Sequence, residues 1–481
     1  MISYNFIASI NENFIIGIHN TLLIECREDL KQFYKITTAI YPEGEQNILI
    51  MGYKTWLSIP DNVKPFRKRF TIVLSREHTI EETDELKCFH SLESSFEWIQ
   101  ENKKGRVFVI GGEGIYQECI SKYPYDLNCV YLTRFKHHYL CNGVETRRLP
   151  YQTLTNQELM YESVSKESPC IINAPNMNEE KTMEHSLFIY QNKDQVNRGE
   201  YQYLTLLKNI LENGDLIEGR NGNVLSTFGE RMVFDLEKGF PLLTTKKMGY
   251  KTILRELLWF IKGSTNNKEL NDKNVHIWDQ NASQEFLESR GLTNEEGDLG
   301  PVYGFQWRHF GAEYKDCNTD YTNQGVDQVQ YVIDTIRNDP SSRRIVMSAW
   351  NPSDLHKMAL PPCHVMCQFY VNKDKIDCQL YQRSGDMFLG VPFNIVSYSF
   401  LLCIICKITG YTPGRFIHIL GDAHIYENHI QKVEEQLERI PTQFPTLEIS
   451  DELKNINDIQ EDHFILKKYR SYSKINAPMS A

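Results

Sequence analysis

Short, wholly apolar runs alternate with helix-like stretches through the first part of the chain. Four of these runs occupy residues 6–10, 48–51, 70–74 and 107–110. Continuous apolar runs of this length are typical of strands buried on both faces of a parallel sheet. Two of the runs lead straight into glycines, at Gly52 and at Gly111-Gly112, where helices or ligand loops would begin. The pattern therefore predicts an α/β fold with a central, mostly parallel sheet flanked by helices.

The end of this first part has a different pattern. Residues 160–166 and 185–190 predict a terminal antiparallel hairpin. The polar stretch between them, residues 168–181, contains two prolines and is expected to be a long, poorly structured loop.

A second pattern begins at Tyr201, where apolar residues at helical spacing continue to a helix stop at Asn213-Gly214. Only a short polar stretch separates the two patterns. We therefore expect a first domain over residues 1–193, a linker over 194–200 and a second α/β domain over 201–481.

Composition narrows the class of protein. The chain has 481 residues, of which 41% are hydrophobic and 24% charged, as in soluble globular proteins of two or three domains. A net charge of -11 disfavours an obligatory nucleic-acid partner. The twelve cysteines have no paired spacing, which indicates a reducing compartment. The N-terminus lacks the basic n-region of a signal peptide. The apolar segment 395–408 is too short to span a membrane and predicts a buried helix. We therefore expect a cytoplasmic protein, with a nuclear location left open.

The segment Pro361-Pro362-Cys363-His364 carries the strongest chemical signal, together with Arg383 downstream. A cysteine on a proline-stiffened turn can serve as a nucleophile. An arginine near it can lower the pKa of the thiol or bind a substrate phosphate. The alternative is that Cys363 is a small core residue, as most cysteines are.

Residues 201–481 resemble the thymidylate synthases over their whole length. The matching stretches, in order, are GFPLLTTK (239–246), RELLWF (255–260), GDLGPVYG (297–304), SRR (342–344), the Cys363 turn, QRS (382–384), VPFN (391–394) and GDAHIY (421–426). The resemblance implies an α/β fold with a dimer-forming sheet. It also implies reductive methylation of dUMP to dTMP, with 5,10-methylenetetrahydrofolate as cosubstrate.

The residue chemistry suits that reaction. Cys363 would add to C6 of uracil, and Asn394 would donate to O4 and accept from N3–H. Glu256 would move protons with its pKa raised by desolvation, sharing a water network with Tyr303 and His364. From the residues alone, Glu256 could instead face solvent on its helix, and His364 could be structural.

The resemblance also implies the ligand contacts. The dUMP-binding set is Arg220, Arg343, Arg344, Arg383, Ser384, Asp386, Asn394, His424 and Tyr426. The folate-binding set is Ile277, Trp278, Asp386, Leu389 and Phe393. In the family the adjacent arginine pair comes from the other subunit, which implies a homodimer through this domain; from the residues alone, the pair reads as an exposed basic turn. The loop around Arg220 is one residue shorter than the family pattern, and Asn281 replaces a second tryptophan.

Residues 1–193 resemble the dihydrofolate reductases in IGI (16–18), NILIMGYKTWLSIP (47–60), TIVLSR (71–76) and IGGEGIY (110–116). The resemblance implies reduction of dihydrofolate by NADPH. Asp29 would promote protonation of the pterin, with Phe33, Arg69 and Thr133 completing the folate site; the alternative for Asp29 is an exposed helix acid. The implied NADPH-binding set is Ala8, Ile16, Lys54, Thr55, Ser75, Arg76, Ile110, Gly111, Gly112 and Tyr116.

Two departures weaken the reductase prediction. Leu22-Leu23-Ile24 stands where the family has Leu-Pro-Trp, and Tyr53 stands where an arginine often meets the adenosine 2′-phosphate. We predict one chain with both activities and no metal. The alternative is a synthase with a weak or inactive reductase-like domain that binds or regulates. A nucleotide hydroxymethylase is disfavoured by Trp278 and Asn394.

Overall fold

The computed structural model describes residues 2–18, 20–39, 45–102, 105–138, 144–174, 177–219 and 222–478. The chain forms two compact units. Unit 1 comprises residues 1–196 and 471–473, and unit 2 comprises residues 197–470 and 474–481. Asn197 caps the first helix of unit 2 by accepting a hydrogen bond from the Glu200 amide, so the end of the predicted linker is helical.

Unit 1 is a sheet with helices. Its strands are β1 Tyr4–Ile10, β2 Ile15–Ile18, β3 Thr21–Leu22, β4 Ile24–Cys26, β5 Asn47–Gly52, β6 Arg69–Leu74, β7 Leu86–Phe89, β8 Val107–Gly111, β9 Leu127–Phe135, β10 Thr146–Arg148, β11 Gln157–Glu162, β12 Lys166–Ala174 and β13 Met177–Asn192. Its helices are α1 Arg27–Thr38, α2 Tyr53–Ser58, α3 Leu92–Asn102 and α4 Glu113–Lys122.

The main sheet of unit 1 has the order β4-β12-β13-β9-β1-β8-β5-β6-β7, and β11 also pairs with β13. The strands from β9 to β7 in this order are parallel to their neighbours. The four apolar runs are β1, β5, β6 and β8, which lie side by side in the centre. The predicted parallel sheet is therefore confirmed, and the strand ends next to Gly52 and Gly111 meet at one edge.

The prediction of a long loop over residues 168–181 is wrong. Residues 168–174 belong to β12 and residues 177–181 to β13, and these strands pair from Lys166↔His185 to Ala174↔Met177; residues 175 and 176 lie outside the described residues. Strand β12 also pairs with β4, where Cys170 lies opposite Cys26. Burial of Cys170, Ile172 and Met183 against this short strand stabilises the hairpin. That partner lies far away in the sequence, so the local polar composition gave no sign of it.

Unit 2 also combines helices with a sheet. Its helices are α5 Arg198–Asn213, α6 Tyr250–Lys262, α7 Lys268–Asn271, α8 Asp279–Ala282, α9 Gln284–Ser289, α10 Tyr303–His309, α11 Gln328–Asn338, α12 Gly390–Thr409 and α13 Ile430–Leu437. Its strands are β14 Asp215–Gly219, β15 Gly222–Asp235, β16 Val346–Ser348, β17 His364–Asn372, β18 Lys375–Asp386, β19 Thr412–Tyr426, β20 Thr446–Ile449 and β21 Phe464–Lys467.

The core of unit 2 is built on α12 and a six-stranded sheet of order β14-β15-β19-β18-β17-β16. Helix α12 packs against β18 and β19 and is apolar nearly all round. Among the described helices it is the one long and apolar enough to cross a membrane, yet 83% of its apolar window is buried inside the protein. It is a core helix, as the sequence predicts, although it extends beyond residues 395–408 at both ends.

Two adjacent strands of this sheet position the reactive cysteine. Strand β17 begins at His364, directly after Cys363, and β18 ends at Asp386. The strands pair antiparallel with His364 opposite Gln382. This register places the Cys363 turn beside Arg383, although the two residues are far apart in sequence.

Candidate active sites

Arg383 holds the turn that carries Cys363. Its backbone amide donates to the Cys363 carbonyl at 2.9 Å, and its guanidinium donates to the carbonyls of Pro361 and Pro362 at 2.9 and 3.0 Å. From the opposite side, the Tyr303 hydroxyl accepts a hydrogen bond from the Cys363 amide at 2.7 Å. The backbone of the proposed nucleophile is therefore fixed on both sides.

The thiol of Cys363 is partly buried. Burial raises its pKa, and the positive charge of Arg383 lowers it by a smaller amount. The arginine thus acts in the direction expected from the sequence, but desolvation prevails. The raised pKa means that this environment disfavours the thiolate form of Cys363.

Glu256 lies on α6 with its carboxylate turned inward. The Trp278 indole N–H donates to its Oε1 at 2.7 Å. Burial raises the pKa of Glu256 to about 7, and the hydrogen bond from Trp278 opposes the rise. A group with this pKa can both release and take up a proton near neutral pH. The alternative that Glu256 faces solvent does not hold.

His364 and Asn394 lie together behind the cysteine turn. The two side chains are hydrogen-bonded, and burial lowers the pKa of His364 to about 4. The Tyr303 hydroxyl also accepts from the His364 amide at 3.4 Å. His364 is therefore a neutral, buried imidazole next to the amide expected to contact the pyrimidine.

Asn394 is held by a residue that the sequence analysis missed. The Gln382 side chain donates to Asn394 Oδ1 at 3.0 Å, and Gln382 itself is buried on β18. Gln382 is the first residue of the QRS stretch, but nothing local in the sequence signals this role, because its partner Asn394 is on another element.

The predicted phosphate and ribose residues are not all in one place. His424 and Tyr426 are adjacent on β19 with ring centroids 5.2 Å apart, and Ser384 follows Arg383 on β18. Arg343 and Arg344 are exposed just before β16, and neither guanidinium has a hydrogen bond within the described ranges. Arg220 lies outside the residues that the structure describes.

The Asp422 carboxylate, next to the predicted ribose residue His424, was not predicted from the sequence. Asp422 accepts a hydrogen bond from the Ser226 hydroxyl at 2.6 Å and lies 3.3 Å from His424 Nδ1. Hydrogen bonds from His424 and Ser226 keep the pKa of Asp422 below its usual value despite the opposing effect of burial. The carboxylate therefore orients His424.

Asp386, which belongs to both predicted ligand sets, holds the backbone that follows β18. Its Oδ1 accepts from the amides of Phe388 and Leu389 at 2.9 and 3.2 Å. The Phe388 carbonyl accepts in turn from the buried Lys246 ammonium. Burial lowers the pKa of Lys246 to about 7, against the opposing charge of Asp386. Lys246 is the last residue of the GFPLLTTK stretch, and no role was predicted for it from the sequence. The remaining predicted folate residues are Ile277, Trp278, Leu389 and Phe393, which are buried or partly buried in unit 2.

Glu200 anchors the segment that carries Lys246. Its carboxylate accepts four groups, the amides and hydroxyls of Thr244 and Thr245, at 2.7 to 2.9 Å. Burial still raises the pKa of Glu200, so these bonds compensate only part of the cost of burial. An acid in the first turn of α5 looks like an ordinary helix residue, which is why the sequence did not single it out.

In unit 1, one cavity of about 800 Å³ brings the predicted cofactor residues together. All ten members of the NADPH-binding set line it. At its floor, a Cβ on Gly112 would lie 3.2 Å from the Thr55 hydroxyl, so a side chain would narrow the space there. Lys54 and Arg76 supply positive charge at the wall. The lining therefore fits a bound dinucleotide with phosphates.

Asp29 is held below the sheet by two hydroxyls. Thr133, predicted as its support, and Ser9, which the sequence analysis missed, both donate to its carboxylate. Burial raises the pKa of Asp29, and these two hydrogen bonds oppose the rise. The exposed helix acid considered from the sequence is therefore ruled out.

Arg69 is enclosed by aromatic rings. Its guanidinium donates to the Thr37 hydroxyl at 2.8 Å and lies 5.0 Å from the ring centres of Tyr34 and Phe66, and 5.8 Å from that of Phe33. Contacts between a cation and these rings favour the charged, oriented guanidinium. The predicted folate residues Phe33 and Arg69 are thus adjacent.

Tyr53 takes part in a stack that no sequence pattern indicated. Its ring packs on that of His78 with centroids 4.4 Å apart, and both line the cavity near Arg76. The position that often holds an arginine therefore offers an aromatic surface instead.

Comparison with known proteins agrees with both resemblances. The family model for thymidylate synthase matches residues 201–481, and that for dihydrofolate reductase matches residues 3–146. The chain thus combines a reductase domain with a synthase domain, so the enzyme class is confirmed. Within the described part of the chain, no group of three or more His, Cys, Asp or Glu could hold a metal ion.

Full-length relatives have the same arrangement. A bifunctional dihydrofolate reductase-thymidylate synthase of Arabidopsis thaliana is 40% identical over 99% of this chain and 96% of its own length. Bifunctional relatives of Paramecium tetraurelia and Plasmodium chabaudi are 39% and 38% identical, over 99% and 94% of this chain and 99% and 86% of their own lengths. The chain belongs to the family of bifunctional dihydrofolate reductase–thymidylate synthases.

The raised pKa of Glu256 makes a prediction for stability. The folded-state pKa is about 7 against an ordinary value of 4.5, so wild-type stability falls as pH rises from 4.5 through 7. Glu256→Gln removes the titration and should be more stable than wild type at pH 8 by up to about 3 kcal/mol, with the difference shrinking toward pH 4.5. Urea unfolding of both proteins across this range measures it. Glu212→Gln, an exposed acid on α5, is the control. Parallel stability–pH curves for Glu256→Gln and wild type would contradict the assignment.

Proposed function

We propose that this chain methylates dUMP to dTMP with 5,10-methylenetetrahydrofolate and reduces the dihydrofolate product to tetrahydrofolate with NADPH. The observation that supports it most is the fixed Cys363 turn, with Glu256 and Asn394 in the same unit. The two activities suit one chain because the product of the first is the substrate of the second.

In the synthase unit, the Cys363 sulfur adds to C6 of the pyrimidine and turns C5 into an enolate-like carbon that attacks the folate methylene. Asn394 stabilises the developing charge on O4 by donating a hydrogen bond. Glu256, with its pKa of about 7, supplies and removes protons around O4 and C5. Arg383 and Ser384 bind the phosphate, and His424 and Tyr426 bind the ribose.

In the reductase unit, Asp29 promotes protonation of the pterin at N5, and Arg69 binds the carboxylate tail of the folate. Lys54, Thr55, Ser75 and Arg76 bind the cofactor phosphates, aided by backbone donors at the start of α2 and α4. NADPH, when bound, supplies the hydride. Asp29 lies against β1 and β9, which supports a catalytic role over a purely binding domain.

We further propose a homodimer through the sheet of unit 2. Met366, Tyr370 and Tyr381 are 36%, 60% and 38% exposed on neighbouring strands. Exposed aromatic side chains on a sheet face are typical of protein interfaces. Arg343 and Arg344 lie at the edge of the same sheet, where a second subunit could receive them.

A cytoplasmic location is part of the proposal. All eleven cysteines within the described ranges are free. Free cysteines in this number suit a reducing compartment.

Cys363→Ser tests the nucleophile. A hydroxyl is a poor conjugate nucleophile at neutral pH, so dTMP formation should fall by about a thousandfold or more. Dihydrofolate-dependent NADPH oxidation by the same protein should persist. Cys317→Ser, at a free cysteine outside the site, should leave both activities unchanged. Near-normal dTMP formation by Cys363→Ser would disprove the assignment.

Mixing two inactive variants tests the shared site. Cys363→Ser subunits keep the arginine pair, and Arg343→Ala/Arg344→Ala subunits keep the cysteine. Subunit exchange should therefore create one intact site per heterodimer and restore up to about a quarter of wild-type synthase activity, since half of the subunits pair at random into heterodimers. Each variant treated alone is the control. Absence of recovery despite demonstrated exchange would argue against donation across the dimer.

Asp29→Asn tests the reductase acid. The amide keeps the shape but cannot promote protonation, so turnover at pH 7 should fall by about a hundredfold, while dTMP synthesis stays intact. Part of the rate should return at low pH, where solvent protonates the substrate. Glu28→Gln removes the neighbouring exposed acid, which pairs with Lys31, and is the matched control. Equal activity of Asp29→Asn and wild type at every pH would refute the role of Asp29. A wild-type chain without dihydrofolate-dependent NADPH oxidation would favour the alternative of a non-catalytic domain.

A further inference from the structure

A chain of three polar side chains runs from the sheet of unit 2 to the pyrimidine site. His418 on β19 is fully buried and contacts Gln382 Oε1 through Nε2 at 2.9 Å. Gln382 on β18 donates to Asn394 Oδ1 at 3.0 Å and to the Ser384 carbonyl at 2.9 Å. The roles given above to Cys363, Glu256 and Asn394 do not account for the first two members of this chain.

The direction of every hydrogen bond in the chain follows from one backbone group. The Ser384 carbonyl can only accept, so Gln382 must present its NH₂ group there, and its oxygen must face His418. His418 must then carry its proton on Nε2. Because the same NH₂ group also meets Asn394, the asparagine must present its oxygen to Gln382. The His364 side chain is also hydrogen-bonded to this amide, and the contact with Gln382 fixes which end of the amide carries the oxygen and which the NH₂ group.

His418 can only serve as this donor. Burial, and secondarily the charge of His364, lower the pKa of His418 to about 3, so it is a neutral imidazole with one proton near neutral pH. Its Nδ1 has no hydrogen-bond partner among the described residues. Moving the proton to Nδ1 would leave that proton unpaired and set two acceptors, Nε2 and the Gln382 oxygen, against each other. With the proton on Nε2, the Gln382 oxygen has a donor, and only the Nδ1 lone pair of His418 stays without a partner among the described residues.

The polarity of Asn394 decides which base it fits. With its NH₂ group toward position 4 and its oxygen toward position 3, the amide matches the O4 acceptor and N3–H donor of uracil. A flipped amide would present oxygen to the 4-amino group of cytosine and NH₂ to its bare N3. The same residue can therefore recognise either base, and its orientation makes the choice.

We propose that His418 and Gln382 are positioning residues for base specificity, which hold the Asn394 amide in the orientation that selects uracil over cytosine. The proposal rests on the dUMP-methylating function. It adds that the preference depends on a histidine on β19 that does not itself contact the base.

His418→Leu tests the proposal by removing the hydrogen-bond donor that His418 offers to the Gln382 oxygen, while leucine fills much of the volume of the imidazole. Equilibrium dialysis of the full-length protein with labelled dUMP and dCMP gives both dissociation constants, and turnover with each nucleotide gives a second ratio. The preference for dUMP should fall at least about tenfold, since a buried group loses its partner. His418→Gln places a donor at the position of Nε2 and should restore most of the preference.

Two further variants separate specificity from general damage. Leu380→Val changes the packing at the position paired with His418 on the neighbouring strand but removes no member of the polar chain. Any loss of binding in this variant should be equal for dUMP and dCMP. If His418→Leu does not fold, Gln382→Met is tested in its place, and the same fall in the preference for dUMP over dCMP is expected. An unchanged dUMP-to-dCMP ratio in a folded variant would overturn the proposal. A wild-type protein without preference for dUMP would instead show that the proposed function is wrong.

Discussion

The synthase site depends on the hydrogen bonds that Arg383 makes to the backbone of the Cys363 turn. A guanidinium has five N–H donors, and the Nε and Nη2 groups of Arg383 donate to the carbonyls of Pro362 and Pro361. The two prolines restrict the turn, but they have no amide hydrogens with which to fasten it to the sheet. The arginine supplies the missing donors and still has others for an anion. In the proposed function, placement of the nucleophile and binding of the phosphate therefore depend on the same side chain.

Desolvation sets the proton chemistry in both units. Burial raises the pKa values of Glu256, Asp29 and Cys363 and lowers that of His364. In each carboxylate the rise is limited by a nearby donor, the Trp278 indole for Glu256 and two hydroxyls for Asp29. Each unit therefore contains a buried carboxylic acid whose rise in pKa is only partly offset by hydrogen bonds. Such an acid suits both reactions, because each needs a proton delivered near neutral pH.

The sequence predicted the elements whose signals are local. The apolar runs of the parallel sheet, the apolar core of α12 and the reactive Cys363 could all be recognised within short windows. The hairpin of β12 and β13 could not, because its burial comes from β4. Likewise Ser9, Gln382 and His418 support predicted residues from distant strands, and such partners are fixed by register rather than by spacing along the chain.

The burial of helix α12 limits local unfolding at the synthase site. Asn394 lies near its first turn, and nearly every later position of the helix is buried in the core of unit 2. A helix without a solvent-facing side cannot open by itself, because each turn is locked by neighbours all round. The backbone amide hydrogen of Asn394 should accordingly exchange with solvent only when the whole unit unfolds. In many enzymes local unfolding disorders a binding site under conditions in which the rest of the fold is intact. We expect no such local unfolding at Asn394.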